Sequence, residues 1–306
     1  MSEQQFKRGD RVRHEKRTDW GLGEVLDDQH GDRVRIIFED EGLKTFQLGI
    51  ANFLNVSGEE AQSEYLTALV KHANKPASKA GSMSAVSHLT FSEAVKVFLS
   101  HFPQGFQDPN YLSGPKSERD FKLRARDLLL ELLPQDKLHA LLDAGKYDEI
   151  FERAKSIINK TSLIHHYEKF WLSESLSSPM RRQLFAKELA YLLSVELPVR
   201  DRFERFTKML YDVGAAKWTI ATYFLFLASP DDQIFVKPEA TKRAARTLHA
   251  EIGFRSEVNW TTYSRILRMA EALRQKLSDE GKAQLKPVDM IDVQSFIWVM
   301  GPAYSA

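Results

Sequence analysis

The sequence predicts an α+β protein whose two structural classes lie in separate domains, a small N-terminal β-barrel followed by a larger all-α domain. Three observations predict this: short apolar runs between glycine turns, then a connector rich in Pro, Ser, Gly and Ala, then apolar residues at helical spacing. The predicted boundaries are 1–56 for the barrel, 57–88 for a helix and flexible linker, and 89–306 for the all-α domain.

Composition restricts the classes of function. The 306 residues are 43% hydrophobic and can bury a substantial core, while the formal net charge is only +1. Any contact with DNA must therefore depend on local clusters of Lys and Arg. The absence of cysteine excludes disulfides, thiolate zinc sites and cysteine nucleophiles. The start MSEQQFKRGD lacks a signal-peptide pattern and no stretch is long enough to cross a bilayer, which predicts a cytoplasmic protein with no membrane partner.

The N-terminal region contains about five short alternating runs in fifty residues. Turn signals at hairpin spacing separate the runs, namely Gly9-Asp10, Gly21 to Gly23, His30-Gly31 and Glu41-Gly42. So many short strands predict a strongly bent, closed barrel of the SH3-like or Tudor-like kind. The glycines around Leu22 have no Cβ and so permit a sharp reversal of the chain.

The pattern of glycine and valine residues in this region also resembles that of a known group of domains. The runs from Gly9 to His14, from Asp19 to Val25 and from Val34 to Phe38 resemble the Tudor-like domains of bacterial DNA-repair helicase tails and transcription-repair coupling factors, including a small uncharacterised domain of that group. The resemblance implies a non-enzymatic module that binds nucleic acid, RNA polymerase or a repair helicase.

Charge is uneven within the barrel sequence. Between Phe6 and Trp20 six basic residues face three acidic ones, a local charge of +3. Two functions are open: the basic stretch contacts a phosphate backbone, or the dipolar barrel docks on a protein of opposite polarity. Trp20 also has a purely structural interpretation, as the plug of the barrel end. The candidate nucleic-acid contacts here are Arg11, Arg13, Lys16, Arg17 and Trp20.

The remainder of the chain is predicted to be helical. Capping boxes begin helices at Ser57 and at Thr90, and Pro and Gly residues between 103 and 115 predict a long exposed loop. Further helices are expected at about 117–133, 136–144, 148–159, 163–175, 179–195, 199–213, 216–228, 238–250, 260–280 and 289–300. Helix starts are marked by Pro179, Pro198 and Pro238 in the first turn and by Asn259 and Asp289 as caps.

One stretch, Leu210 to Arg243, organises the helical region. Its segment from Trp218 to Ala228 is apolar on nearly every face but shorter than the roughly 20 residues of a membrane span, which predicts the buried central helix of a soluble domain.

The same stretch resembles helix-hairpin-helix DNA glycosylases. The resemblance lies in Val213-Gly214, in Trp218 to Phe224 and in Phe235 to Glu239. It implies that backbone N–H groups at Gly214 face a DNA phosphate and that Glu239 is a catalytic carboxylate. Several segments of the helical region also resemble an uncharacterised bacterial helical family that has no assigned activity.

A dense group of cations follows the central helix. With Lys217 beside the glycine turn, these residues predict a surface that grips phosphate, and the alternative is a solvated helix face. The candidate contacts of the helical domain are Gly214, Lys217, Lys237, Lys242, Arg243 and Arg246. Trp260, Tyr263, Phe296 and Trp298 have core spacing, although one of them is a candidate for lining a base pocket.

Metal and cofactor sites are not expected. The adjacent pair His165-His166 points to helix faces about 100° apart, which is poor geometry for one metal ion. Asp289 and Asp292 share one helix face, but capping and dipole compensation explain both residues. No phosphate-binding loop, dinucleotide fingerprint, nucleophile elbow or zincin motif is present.

The favoured function is therefore a non-catalytic, DNA-associated protein that uses the barrel and the basic helical surface. Two alternatives remain open: a base-excision DNA glycosylase with Glu239 as its carboxylate, and a protein-interaction scaffold.

Overall fold

The computed structural model describes residues 6–17, 20–27, 33–38, 42–47, 52–63, 66–67, 70, 89–114, 117–301 and 304. The chain divides into two compact units, Met1–Ala85 (the β unit) and Val86–Ala306 (the helical unit). The first contains a five-stranded antiparallel sheet and the second is all-α, which confirms the predicted fold class.

The β unit is built on one antiparallel sheet. Its strands are β1 (Arg11–His14), β2 (Gly23–Val25), β3 (Arg33–Phe38), β4 (Gly42–Gln47) and β5 (Phe53–Asn55), in the spatial order β4-β3-β2-β1-β5. The rings of Phe46 on β4 and Phe53 on β5 are 4.8 Å apart, so the sheet curls until its two edge strands meet across the core. Gly23 permits this curvature, because a Cβ there would lie 2.7 Å from the ring of Phe38.

A second apolar cluster extends the β unit beyond residue 56. Leu66 and Val70 pack with Leu22, Leu26 and Ile37. The helix predicted to begin at Ser57 begins later: Gly58–Ala61 is a 3₁₀ turn, and the Ser63 hydroxyl accepts the N–H of Leu66. The predicted turn at His30-Gly31, residue Glu41, and most of the predicted linker lie outside the described residues.

The helical unit has twelve α-helices among its described residues. They are α1 (Phe91–His101), α2 (Pro109–Leu112), α3 (Asp120–Leu132), α4 (Gln135–Asp143), α5 (Tyr147–Asn159), α6 (His166–Ser175), α7 (Pro179–Leu193), α8 (Val199–Asp212), α9 (Trp218–Ala228), α10 (Pro238–Thr247), α11 (Trp260–Ser278) and α12 (Met290–Val299).

Helix α9 is the buried centre of the helical unit, as predicted. All of its residues from Trp218 to Leu227 are buried, and the Tyr223 hydroxyl donates to the carbonyl of Ile157 at 2.9 Å. Burial on every face explains why the segment is apolar all round. Within the described parts of the chain, no helix is long and apolar enough to cross a membrane.

Most helix starts follow their local signals. Thr90 and Glu93 form a capping box, Asn259 and Asp289 cap α11 and α12, and Pro179 and Pro238 stand in first turns. Pro198 differs from the prediction, because it occupies the capping position before α8.

The exposed loop predicted between 103 and 115 is correct only in part, because most of its described residues are exposed but two of its aromatic side chains are buried. Gly105–Gln107 is a 3₁₀ turn and α2 follows it, with Phe106 and Tyr111 buried in the main core. Gly105 fits against the backbone of Gln284, where a Cβ would lie 2.2 Å from the carbonyl oxygen. Gly and Pro end regular helices here, but the aromatic side chains between them still bury their surface.

A buried charged network joins α3 to α12. Arg119 contacts Asp289 at 2.7 Å and Asp292 at 2.6 Å, and Asp292 also accepts the Tyr111 hydroxyl. Lys122, fully buried, contacts Glu118 at 3.1 Å. We call these charged residues the buried charge network; its members are Glu118, Arg119, Lys122, Asp289 and Asp292. The guanidinium of Arg119 thus occupies the helix face that Asp289 and Asp292 share.

Candidate nucleic-acid interface

Helix α10 positions the predicted cations. Pro238 opens it, and its buried face consists of small residues that pack toward α12, including Ala240, Thr241, Ala244 and Ala245. The long basic side chains therefore lie on the remaining faces. The structure brings Lys237, Lys242, Arg243 and Arg246 together at this one helix.

Lys237 lies over an aromatic ring. Its Nζ is 4.0 Å from the ring centroid of Trp298, within the range of a cation–π contact, and the side chain is half-buried. Burial lowers the pKa of Lys237, opposed by the more distant carboxylates of Glu168 and Glu118. Among the described residues, no carboxylate lies within ion-pair distance of Lys237.

Arg243 lies at the C-terminal end of α12, as Trp298 does. A Cβ on Gly301 would be 2.1 Å from Arg243 Nη1 and 3.1 Å from the carbonyl oxygen of Trp298, so glycine makes room for the guanidinium. Burial lowers the pKa of Arg243, and the charge of Arg246 lowers it further. No described residue forms an ion pair or hydrogen bond with this guanidinium. We call Lys237, Arg243 and Trp298 the α10 cationic site.

Lys242 and Glu239 pair with each other. Their ion pair is 2.7 Å long, and the Glu239 side chain is 61% exposed. Glu239 stands in the first turn of α10, where the helix dipole stabilises a carboxylate without any chemistry. The catalytic role suggested for Glu239 stays a prediction.

Gly214 ends α8 in the left-handed conformation, with φ of 78°. Its N–H donates to the carbonyl of Tyr211 at 3.0 Å, and the N–H of Ala215 donates to Leu210 at 2.8 Å. These N–H groups, which the glycosylase resemblance assigns to a phosphate, therefore close the helix end. Lys217 is half-buried at the capping position of α9.

In the β unit, the structure separates the predicted contacts into two groups. Arg11 is 16% exposed and pairs with Glu24 at 2.9 Å while donating to Thr67, so it holds the unit together. Trp20 is 8% exposed and packs against Phe38, as the structural interpretation expected. The exposed members are Arg13, Lys16 and Arg17, the last with its guanidinium 4.7 Å from the Trp20 ring centroid.

Trp298 is one of the four aromatic residues whose spacing in the sequence predicted a position mainly in the core. It is only partly buried and provides the surface for Lys237. Its position in an otherwise buried helix contains no local signal for this contact, since Lys237 is distant in the chain.

Comparison with known proteins identifies one family. Residues 6–56 match the family described as "Protein of unknown function (DUF3553)". No curated protein and no solved structure matches the chain. The family match covers the five strands and ends before Leu66 and Val70, which complete the second apolar cluster of the β unit.

Proposed function

We propose that this protein binds DNA without catalysis, and that the α10 cationic site is its main contact with the phosphate backbone. The observation that carries the proposal is a pair of half-buried cations, Lys237 and Arg243, that have no ion-pair partner among the described residues. Partly desolvated cations are costly unless an anion compensates them. A phosphate group placed between them supplies that compensation.

The dimensions and charge of α10 suit a phosphate backbone. Its ten residues extend about 15 Å at 1.5 Å per residue, which is comparable to the rise of about four base pairs at 3.4 Å each. Four cations, from Lys237 to Arg246, stand against the single carboxylate of Glu239. Contacts of this kind position a protein on DNA and do not read its sequence.

The β unit adds a second, weaker contact in this proposal. Arg13 and Lys16 are exposed, and their side chains form no ion pair or hydrogen bond within the described part of the chain; Arg17 is exposed beside them. The resemblance to Tudor-like modules supports either this use of the patch or its docking on RNA polymerase or a repair helicase in the cytoplasm. We do not extend the proposal to base excision, because Glu239 is exposed and paired with Lys242.

The test is DNA binding by the full chain over a series of salt concentrations. Fluorescence anisotropy with a labelled duplex should show that Lys237→Ala/Arg243→Ala weakens binding by more than tenfold and lowers the salt slope by about two. The matched control is Arg200→Ala/Lys208→Ala, which removes two cations whose partners are Glu204 and Asp212.

The control pair should leave affinity and slope close to those of the unmodified protein. Thermal unfolding of each variant checks that the fold is intact. Equal losses in both double variants, or salt-insensitive binding by the unmodified chain, would remove the α10 cationic site from the proposal.

A further inference from the structure

An open groove lies beside the C-terminal half of α10, away from Trp298. Its volume is about 780 Å³, within the range of small-molecule sites. Cationic and imidazole side chains, Lys242, Arg246 and His249, line it together with the apolar side chains of Ile252 and Phe254. One carboxylate, that of the exposed Glu251, also lines the groove. Neither Lys237 nor Arg243 is among the lining residues.

Two of the polar lining residues share one helix face. Lys242 and Arg246 are four residues apart on α10, and His249 follows the end of that helix. Arg246 is exposed and has no ion pair among the described residues. Lys242 lies 5.3 Å from the ring centroid of Phe254, so the cationic and aromatic parts of the groove are adjacent.

His249 has an unusual backbone conformation. With φ of 52°, it is the one non-glycine residue with positive φ in the described parts of the chain. It closes α10, because its N–H donates to Arg246 at 3.1 Å and the N–H of Ala250 donates to Ala245 at 2.8 Å. Glycine is the usual residue at this position, and any other residue costs on the order of 1 kcal/mol. His249 keeps this strained backbone conformation at the lining of the groove, which indicates a functional role for its imidazole.

The opposite side of the groove is apolar and firmly held. Ile252 is buried, and the ring of Phe254 packs 5.6 Å from that of Trp218. Gly253 lies against Arg265, whose Nη1 would be 2.4 Å from a Cβ at this position. The groove thus offers hydrogen-bond donors for an anion next to a surface for a flat apolar group.

We propose that this groove binds a nucleoside phosphate, with the phosphate held by Arg246 and His249 beside the Lys242–Glu239 ion pair, and the base against Phe254 and Ile252. Two sources present this chemistry, a free nucleotide and the phosphorylated end of a nucleic-acid strand. The inference goes beyond the proposed function, whose main contact is between the backbone of a duplex and the α10 cationic site, which lies outside the groove lining.

The experiment measures binding to the full chain by isothermal titration calorimetry. Adenosine monophosphate is compared with adenosine and with inorganic phosphate, and a 5′-phosphorylated single strand is compared with its 5′-hydroxyl counterpart. Adenosine monophosphate, the phosphorylated strand or both should bind at least tenfold more tightly than the comparison ligands. Preference for the free nucleotide alone identifies the first source, and a phosphate-dependent strand affinity alone identifies the second.

Variants separate this site from a merely basic helix end. Arg246→Ala should lower the affinity at least tenfold, whereas Arg268→Ala, an exposed arginine of α11 outside the groove, should not. His249→Gly is the decisive variant, because it should raise the melting temperature by relieving the backbone while weakening ligand binding. Binding no tighter than that of inorganic phosphate, or unchanged affinity in both groove variants, overturns the inference. Duplex binding that depends on Lys237 and Arg243 is unaffected by either result.

Discussion

The helical unit contains two groups of charged side chains that differ in how their charges are compensated. In the buried charge network, Arg119 has two aspartates and Lys122 has Glu118. In the α10 cationic site, Lys237 and Arg243 have no ion pair among the described residues. Burial lowers the pKa of both lysines, Lys122 and Lys237, but only Lys122 contacts a carboxylate directly.

The difference teaches how to assign a role to a buried cation. A cation that is paired inside the core joins helices, and its loss should affect folding. A half-buried cation without a partner contributes little to the fold, and its loss should affect binding. Four predictions test this division, in order of decreasing effect.

The largest effect is expected for Asp292→Ala. The change removes a carboxylate from Arg119 and leaves the buried Tyr111 hydroxyl without its acceptor, so the free energy of unfolding should fall by about 3–5 kcal/mol. Urea denaturation followed by circular dichroism measures it. In the Lys237→Ala/Arg243→Ala variant, the free energy of unfolding should change by less than about 1 kcal/mol. A loss as large as that of Asp292→Ala would show that the two groups of cations do not differ in their role.

Lys122→Met should come next, because it leaves Glu118 buried without a cation. We expect a loss of about 2–4 kcal/mol, most of which the double variant Glu118→Gln/Lys122→Met should recover. The matched control is Arg124→Met, which breaks an exposed i,i+4 pair with Asp120 and should cost about 0.5 kcal/mol or less. If the double variant is no more stable than Lys122→Met, the pair is not the reason for the loss.

A pH dependence should distinguish Lys237 from an ordinary surface lysine. Burial lowers the pKa of Lys237 from the usual 10.5. As the pH rises, Lys237 therefore loses its charge, and its affinity for phosphate, before an exposed lysine does. DNA affinity should therefore decline severalfold between neutral pH and pH 10. Lys237→Arg, which stays charged, should remove this decline. An identical decline in Lys237→Arg would show that other groups titrate.

The smallest effects are expected in the β unit. Arg13→Ala and Lys16→Ala should each lower the salt slope of DNA binding by about one and leave stability unchanged. Arg11→Ala should leave the salt slope unchanged and lower the stability, because Arg11 forms an ion pair with Glu24 and donates a hydrogen bond to Thr67. Pull-down of a protein partner that is lost in Arg13→Ala, with an unchanged salt slope, would instead favour the docking function.

Local signals predicted much of this molecule correctly. Three capping residues accept hydrogen bonds from N–H groups within the first helical turn, so whether they cap a helix depends only on residues up to three positions away. They are Thr90, Asn259 and Asp289. Alternation and turn residues are also local properties, and they predicted about five strands between residues 6 and 56. The apolar helix α9 was recognisable because a helix buried on every face has no polar stripe.

The errors arise where the outcome depended on distant residues. Phe106 and Tyr111 lie among helix breakers, which indicated an exposed loop, yet both are buried in the core. Ser57 has the sequence of a cap, but the helical residues that pack on Leu22 and Ile37 follow Ser63 instead. Burial of apolar surface outweighed the local preference in both places.

The sequence by itself determined the two classes of domain, the central helix and the clustering of cations on α10, because periodicity, caps and charge spacing are local properties. Only the tertiary structure decided which cations are compensated. Arg119 meets Asp289 and Lys237 meets Trp298 across long stretches of chain, while Arg11 is drawn into the β unit by Thr67. A lysine or arginine looks the same in the sequence whether a carboxylate folds back onto it or not, since Coulomb attraction depends on distance in space and on burial.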